Sequence, residues 1–229
     1  MKIGIIDSGI NPNHSHVQSV AGGIGIFLNQ SGVLQISSDY RDTLGHGTAI
    51  AGVIREKAPT ASLYAIKIFF DKLTASTQAL LSALAWAVDQ EMNIIHLSLG
   101  TTLRQHKNEL EDLCEQALRA GTIVVAAARS PDDEIYPASL EAVIGAYWEP
   151  ECPKDVLQYQ AGGHINFGAH GSPRPLPGLP QNKNLRGHSF AAAHVTAHTA
   201  QILESHPDID LFKIKKKLSQ IQGRRIYEE

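Results

Sequence analysis

Two cysteines in 229 residues are too few for a disulfide framework. Cys114 and Cys152 stand in unrelated stretches, which suits a reducing compartment. Charge of one sign is also missing. Twenty Lys and Arg face 23 Asp and Glu, a formal net charge of −3, so no basic face for nucleic acid is implied. Basic residues cluster only at Lys213–Lys217 and at Arg224-Arg225, which read as a solvated helix face and tail. No apolar run reaches the roughly 18 residues of a membrane-spanning helix, and a membrane partner is not expected. Met1-Lys2 lead straight into a strand-like run with no signal-like segment, so the expected location is the cytoplasm. No internal repeat and no long linker divides the sequence, and residues 1–229 read as one domain. What is present in quantity is apolar: 43% hydrophobic residues supply ample material for one core.

That apolar content is distributed with an α/β rhythm. Lys2 to Ile6 is a short apolar run with β-branched residues, as in a strand buried on both faces of a parallel sheet. Residues 11–43 are mixed, with a glycine cluster at 22–25 and an apolar–polar stretch at 33–37, and read as loops with short strands. His14 and His16 have no Cys or carboxylate partner placed nearby and read as surface histidines rather than a metal pair. Residues 46–56 predict a buried helix ended before Pro59. Ser62–Phe69 predicts a strand, Thr74–Gln90 a helix with Leu80, Leu81, Leu84, Ala87 and Val88 inward, and Asn93–Leu99 a strand. Asn108–Ala120 predicts a helix with Leu110, Leu113, Ala117 and Leu118 inward, ended by Gly121. Strands follow at Thr122–Ala128 and Ala142–Tyr147. The Pro-, Gly- and Asn-rich residues 149–186 read mainly as loop with a short strand at Ile165–Phe167. Helices close the chain at 189–204 and Leu211–Leu218. This alternation predicts a central, mainly parallel sheet with helices on both faces.

Three positions at the ends of these elements carry chemistry. Asp7 ends the first strand, where open α/β sheets place their sites. His46 opens an early helix between Gly45 and Gly47. Ser189 opens a late helix after Gly187, near free N–H groups and the positive end of the helix dipole. Each alone has a plain structural reading: a turn cap, a helix-start histidine, a close-packed helix start. Together they form a nucleophile, a base and an orienting acid. A serine hydroxyl is a weak nucleophile until imidazole takes its proton, and a buried carboxylate fixes the imidazole tautomer and stabilises the imidazolium. Asp…His…Ser is one of the known chain orders for such a set.

The sequence resembles the subtilisin-like serine proteases, the subtilases, from residue 2 to about 220. The resemblance rests on Ile5-Ile6-Asp7-Ser8-Gly9, Gly45-His46-Gly47-Thr48 with Ala51-Gly52, Ala65-Ile66-Lys67, Ser98-Leu99-Gly100, Tyr136-Pro137-Ala138, and Gly187-His188-Ser189-Phe190-Ala191 with His194-Val195, all in order. It implies a three-layer subtilisin-like fold with catalytic Asp7, His46 and Ser189, and no cofactor. It implies that Ser98, Leu99 and Gly100 bind an extended peptide by strand addition, and that Tyr136-Pro137 is a cis peptide. The implied function is a serine endopeptidase acting on a peptide or protein through an acyl-enzyme.

The departures narrow that implication. The family's oxyanion Asn is replaced by Ser130, preceded by Arg129, after Ala126-Ala127-Ala128. Ser130 is therefore the oxyanion candidate, with a shorter reach than Asn, and Arg129 is expected to face the surface. Loss of one such donor costs roughly 10²–10³ in kcat, a magnitude that comes from a subtilisin rather than from this chain. These features predict a selective processing or maturation protease, with a partner protein in a biosynthetic pathway. The alternative is a degenerate pseudoprotease that binds a peptide or partner. No calcium loop follows the histidine helix, since Arg55-Glu56-Lys57-Ala58-Pro59 runs directly towards Ser62, and no metal is expected there. His194 and His198 have zinc-like spacing, but Val195 stands where a zinc protease needs Glu, so both read as structural. His188 reads as a packing residue beside the nucleophile, with tuning of the site or contact with substrate as the alternative.

Overall fold

In the computed structural model, which describes residues 1–221, nine strands form one sheet flanked by five α-helices. The strands are β1 Lys2–Asp7, β2 Gly22–Leu28, β3 Leu34–Ser37, β4 Ser62–Lys67, β5 Ile94–Leu97, β6 Ile123–Ala127, β7 Val143–Trp148, β8 Gln158–Tyr159 and β9 Phe167–Ala169. The helices are α1 His46–Lys57, α2 Thr77–Asp89, α3 Lys107–Arg119, α4 His188–Ser205 and α5 Leu211–Leu218. The strand order is β3-β2-β4-β1-β5-β6-β7-β9-β8. All pairings are parallel except the two edge pairs, β2–β3 and β8–β9. The mainly parallel α/β sheet expected from the sequence is thus the one observed.

Strand alternation sorts the core into two layers. Ile3 and Ile5 of β1 face α1, α4 and α5 through Ile50, Val53, Ala191, Val195 and Ile214. Ile6 faces the opposite way, onto Leu80, Leu84 and Ala87 of α2 and Leu110, Cys114 and Ala117 of α3. Helix α4 is buried all round from Phe190 to Ala200, so it forms the centre of its layer rather than a surface element.

The differences from the sequence-based elements have local causes. Strand β2 contains three glycines, which lower its intrinsic strand preference, yet pairing with β4 on one side and β3 on the other holds it extended. Helix α2 begins at Thr77, not Thr74, because the Ser76 hydroxyl accepts from the Ala79 N–H at 3.1 Å and caps it. The last short strand is Phe167–Ala169, not 165–167, because the Ile165 N–H is taken by the Pro131 carbonyl at 3.1 Å. His14 and His16 are half-buried, with rings packed edge to face at 5.0 Å, rather than fully on the surface. Lys213–Lys217 lie on the last described helix, while Arg224 and Arg225 fall outside the described residues. Tyr136–Pro137 is cis, as the resemblance implied.

The turn from α1 to β4 is tied by a buried cation. Arg55 is 6% exposed, and its guanidinium donates to the carbonyls of Val17 at 3.0 Å, Ser19 at 3.0 Å, Pro59 at 2.8 Å and Ala61 at 2.6 Å. No helix among the described residues is long and apolar enough to cross a membrane.

Candidate active site

Parallel strands bring their carboxyl ends to one edge, and the chemistry gathers there. Asp7 is fully buried at the end of β1, and His46 is 8% exposed at the start of α1. The His46 Nδ1–H reaches both Asp7 oxygens, at 2.8 and 2.9 Å. The Ser8 N–H donates to Asp7 Oδ1 at 2.6 Å. Burial pushes the Asp7 pKa up, but the His46 charge and the hydrogen bonds from His46 and Ser8 outweigh it, so Asp7 stays below the usual carboxylate range. Burial pushes the His46 pKa down, and the charges of Asp7 and Asp42 with the Asp7 hydrogen bond outweigh it and raise it. Gly47 lets the two elements meet: a Cβ there would lie 2.2 Å from the Gly9 carbonyl oxygen.

Asp42 is a site residue that the sequence pattern does not single out. Its carboxylate accepts from the Leu44, Gly45 and Thr48 N–H groups at 2.9 Å each, and from the hydroxyls of Ser8 at 2.9 Å and Thr48 at 2.6 Å. It therefore fixes the first turn of α1 and links it to the residue after Asp7. An acid a few residues before a Gly-His-Gly helix start is a capping signal that the sequence does carry.

Ser189 stands in the first turn of α4 after Gly187, whose φ of 145° favours glycine. First-turn N–H groups have no intrahelical acceptor, so the Ser189 N–H is available to a developing anion. The Phe190 ring lies 5.3 Å from the His46 ring, which places the two helix starts side by side. The Ser189 hydroxyl donates to the Ser98 carbonyl at 3.1 Å, and among the described residues no hydrogen bond joins it to His46. Ser98, Leu99 and Gly100 follow β5 and are half-buried. Leu99 and Gly100 make no backbone hydrogen bond among the described residues, while Thr101 is bridged to Tyr136 in both directions, at 2.8 and 2.9 Å.

Ser130 is exposed, and its carbonyl accepts from the Asp133 N–H at 3.3 Å. Arg129 is turned outward and bound to Asp133 through Nε at 3.0 Å and Nη2 at 2.8 Å. His188 accepts the Trp148 N–H on Nδ1 at 3.1 Å and packs edge-on to the Trp148 ring, which is the packing role expected of it. His194 donates from Nε2 to the Ser172 carbonyl at 3.0 Å, and His198 is buried; burial pushes both down to about 4. Among the described residues no three His, Cys, Asp or Glu side chains are grouped to hold a metal ion.

A buried acid–imidazole pair beneath a serine-bearing helix start, at the carboxyl edge of a parallel sheet, is the architecture of subtilisin-like hydrolases. The subtilase family profile matches residues 1–134, more than half of the sequence, and the chain belongs to that family of serine proteases. Among its relatives, the minor extracellular protease Epr of Bacillus subtilis strain 168 is 30% identical over 220 residues, covering 90% of this chain and 32% of that protein. Subtilisin DY of Bacillus licheniformis is 29% identical over 237 residues, covering 96% of this chain and 82% of its own length. The crystal structure of a cold-adapted subtilisin-like serine proteinase shares the fold, with a TM-score of 0.72 at 18% identity over 96% of this chain and 81% of that one.

Proposed function

We propose that this protein is a serine endopeptidase in which Asp7, His46 and Ser189 act as orienting acid, general base and nucleophile. The observation that carries the reading is the two-oxygen grip of buried Asp7 on His46 Nδ1. That grip puts the proton on Nδ1 and leaves Nε2 as the acceptor a general base needs. A rotation of the Ser189 side chain away from the Ser98 carbonyl brings its hydroxyl to Nε2, in keeping with the loose contacts of substrate-free sites. Ser189 Oγ then attacks the scissile carbonyl carbon as its proton passes to His46. The carbonyl oxygen becomes an anion beside the Ser189 N–H and the Ser130 hydroxyl. Collapse breaks the C–N bond, and His46 gives the proton to the leaving amine. Water repeats the sequence on the acyl-enzyme, releasing the acid and restoring Ser189.

Substrate enters as an extended strand along Ser98-Leu99-Gly100, whose last two residues have free backbone groups to pair with it. The shorter Ser130 donor and the outward Arg129 support slow, selective action. We therefore assign the protein to maturation of one peptide or protein in a biosynthetic setting, in the cytoplasm and with a partner that supplies substrate. A second reading, a pseudoprotease that only holds a peptide, draws on the Ser189 hydroxyl being bonded to the Ser98 carbonyl rather than to His46. Fluorophosphonate labelling separates the two. Stoichiometric labelling of the wild type, lost in Ser189→Ala, is the expected result; a folded wild type that never labels is the pseudoprotease outcome. Casein digestion at the rate of a digestive subtilase would contradict the selective role.

A further inference from the structure

A recess that the proposed chemistry does not use opens beside the helix starts of α1 and α4. It is a cavity of about 490 Å³, within the size range of small-ligand sites. Leu44, Gly45 and Thr48 wall it at the start of α1, and Asn184 and Leu185 wall it on the run that leads into Ser189. His14, His16 and Arg174 close a third side. Ser98, Leu99, Gly100 and Ser130 are not among the described residues that line it. The stretches proposed for the acyl half of the substrate and for the oxyanion therefore lie outside it.

The wall from Pro173 to Leu185 is held by its own hydrogen bonds. The Gln181 side-chain amide donates to the Pro173 carbonyl at 3.0 Å, the Asn184 amide to the Arg174 carbonyl at 3.2 Å, and the Leu179 N–H to the Leu176 carbonyl at 3.1 Å. Arg174 Nη1 ties this wall to the opposite one by donating to the His16 carbonyl at 3.4 Å. The framing leaves Leu179 36% and Leu185 42% exposed at the recess, apolar area whose burial would be stabilising. Permanent charge there is cationic in excess. Arg174 and Lys183 line the recess against one carboxylate, Asp42, whose oxygens already accept from the five donors around the α1 turn. Glu56 lies 3.6 Å from Arg174 but is held at 2.7 Å by Lys154. Lys183 is exposed, with no ion-pair partner among the described residues. Burial and the Arg174 charge push the His16 pKa down, so His16 is neutral at pH 7 and the charge of the recess rests on the two permanent cations.

A peptide lying along Ser98-Leu99-Gly100 up to the cut has to continue past Ser189, and two walls of the recess are the approaches to the helix starts that carry Ser189 and His46. We propose that the recess receives the residues that follow the scissile bond, with an aliphatic side chain against Leu44, Leu179 and Leu185 and a carboxylate paired with Arg174 and Lys183. The substrate class is then a peptide that is aliphatic and acidic just after the cut. This deepens the peptidase reading and rests on it for which half of the substrate enters, though not for the chemistry of the recess. The reverse step offers a readout. An amine bound there attacks the acyl-enzyme carbonyl carbon and forms a C–N bond as the bond to Ser189 Oγ breaks, its proton passing to His46 and on to Ser189.

The test uses the tripeptide amides Ala-Leu-Glu, Ala-Leu-Gln and Ala-Leu-Lys with the wild type, Lys183→Gln and Arg174→Gln. Chemical-shift titration of ¹⁵N-labelled protein reads binding. Capture of the acyl group from an activated peptide ester, against hydrolysis, reads whether the bound amine sits beside the acyl-enzyme. In the wild type the shifts are expected at Leu44 to Thr48 and over 173–185. The Glu peptide should bind about tenfold more tightly than the Lys peptide, with Gln between, and capture should follow the same order. In K183Q and R174Q the Glu-to-Lys ratio falls to about twofold or less. Equal binding of the three peptides, binding of none, a ratio unchanged in the folded variants, or shifts confined to 98–100 overturns the proposal. K183Q, at an exposed position, decides the matter if R174Q does not fold. A wild type that binds in this charge order but takes no acyl group from the ester sinks the peptidase reading and leaves the recess standing. One that acylates yet shows no charge order in binding or capture does the reverse.

Discussion

At the level of single residues, the site is a competition between burial and pairing. Burial acts against charge on both Asp7 and His46, and their mutual attraction wins, lowering one pKa and raising the other. In its proposed role as general base His46 is neutral, so the labelling rate should rise with pH through a midpoint above the ordinary histidine value of 6.5. A midpoint at or below that value, measured over a pH series at constant ionic strength, would show that Asp7 does not govern the base. Space is as decisive as charge. In Gly47→Ala the new Cβ would stand 2.2 Å from the Gly9 carbonyl oxygen and 3.1 Å from Asp7 Oδ1. The expected results are a loss of about 1–3 kcal/mol in urea unfolding and a sharp fall in labelling. Unchanged values in both assays would mean that β1 and α1 can separate without harm. The meeting of Asp7 with His46 was legible because each combines a reactive type with an element end. The contact of buried His96 with Thr196 was not: His96 looks like one polar residue in an apolar strand, and Thr196 lies 100 residues away in the sequence.

Among the elements, long periodic segments were readable and edge segments were not. The inward positions of α2 follow directly from its spacing, and Leu80, Leu81, Leu84, Ala87 and Val88 are all buried. In α3 the pattern also covers Cys114, a buried thiol that packs as an apolar residue and whose pKa burial pushes up to about 12. Strand β8 has two exposed residues and takes its existence from pairing with β9, so no local signal could announce it. The α1–β4 turn shows the same limit. Nothing in Arg55-Glu56-Lys57 says that Arg55 turns inward to four carbonyl oxygens, which only the fold brings together. Arg55→Met keeps an unbranched side chain there but leaves those carbonyls without their donor. It should cost at least about 3 kcal/mol, a fall of about 6 °C or more in Tm for a chain of this size. A melting temperature within a degree of the wild type would assign the turn's stability elsewhere.

The whole molecule is built so that its proposed reactive groups sit on the sheet's carboxyl edge while its other buried histidines stay neutral. His96, His194 and His198 are each pushed down to about 4 by burial. Their folded pKa values lie below the unfolded value of 6.5, so between about pH 6.5 and 4 the unfolded chain binds protons that the folded chain refuses. Stability from these three is present above that window and is lost as pH falls through it, with an upper slope of about 4 kcal/mol per pH unit. His46 has the opposite sign, but its raised pKa puts its contribution above pH 6.5, outside the window. Urea midpoints should therefore drop markedly from pH 7 to pH 5, and equal midpoints would contradict the buried neutral histidines. The central claim, acyl transfer through Ser189, is tested most directly by pre-steady-state hydrolysis of an activated peptide ester. A burst of leaving group equal to the enzyme concentration is expected in the wild type and should be absent from Ser189→Ala. A burst that survives in Ser189→Ala, or a folded wild type with neither burst nor turnover, would contradict it.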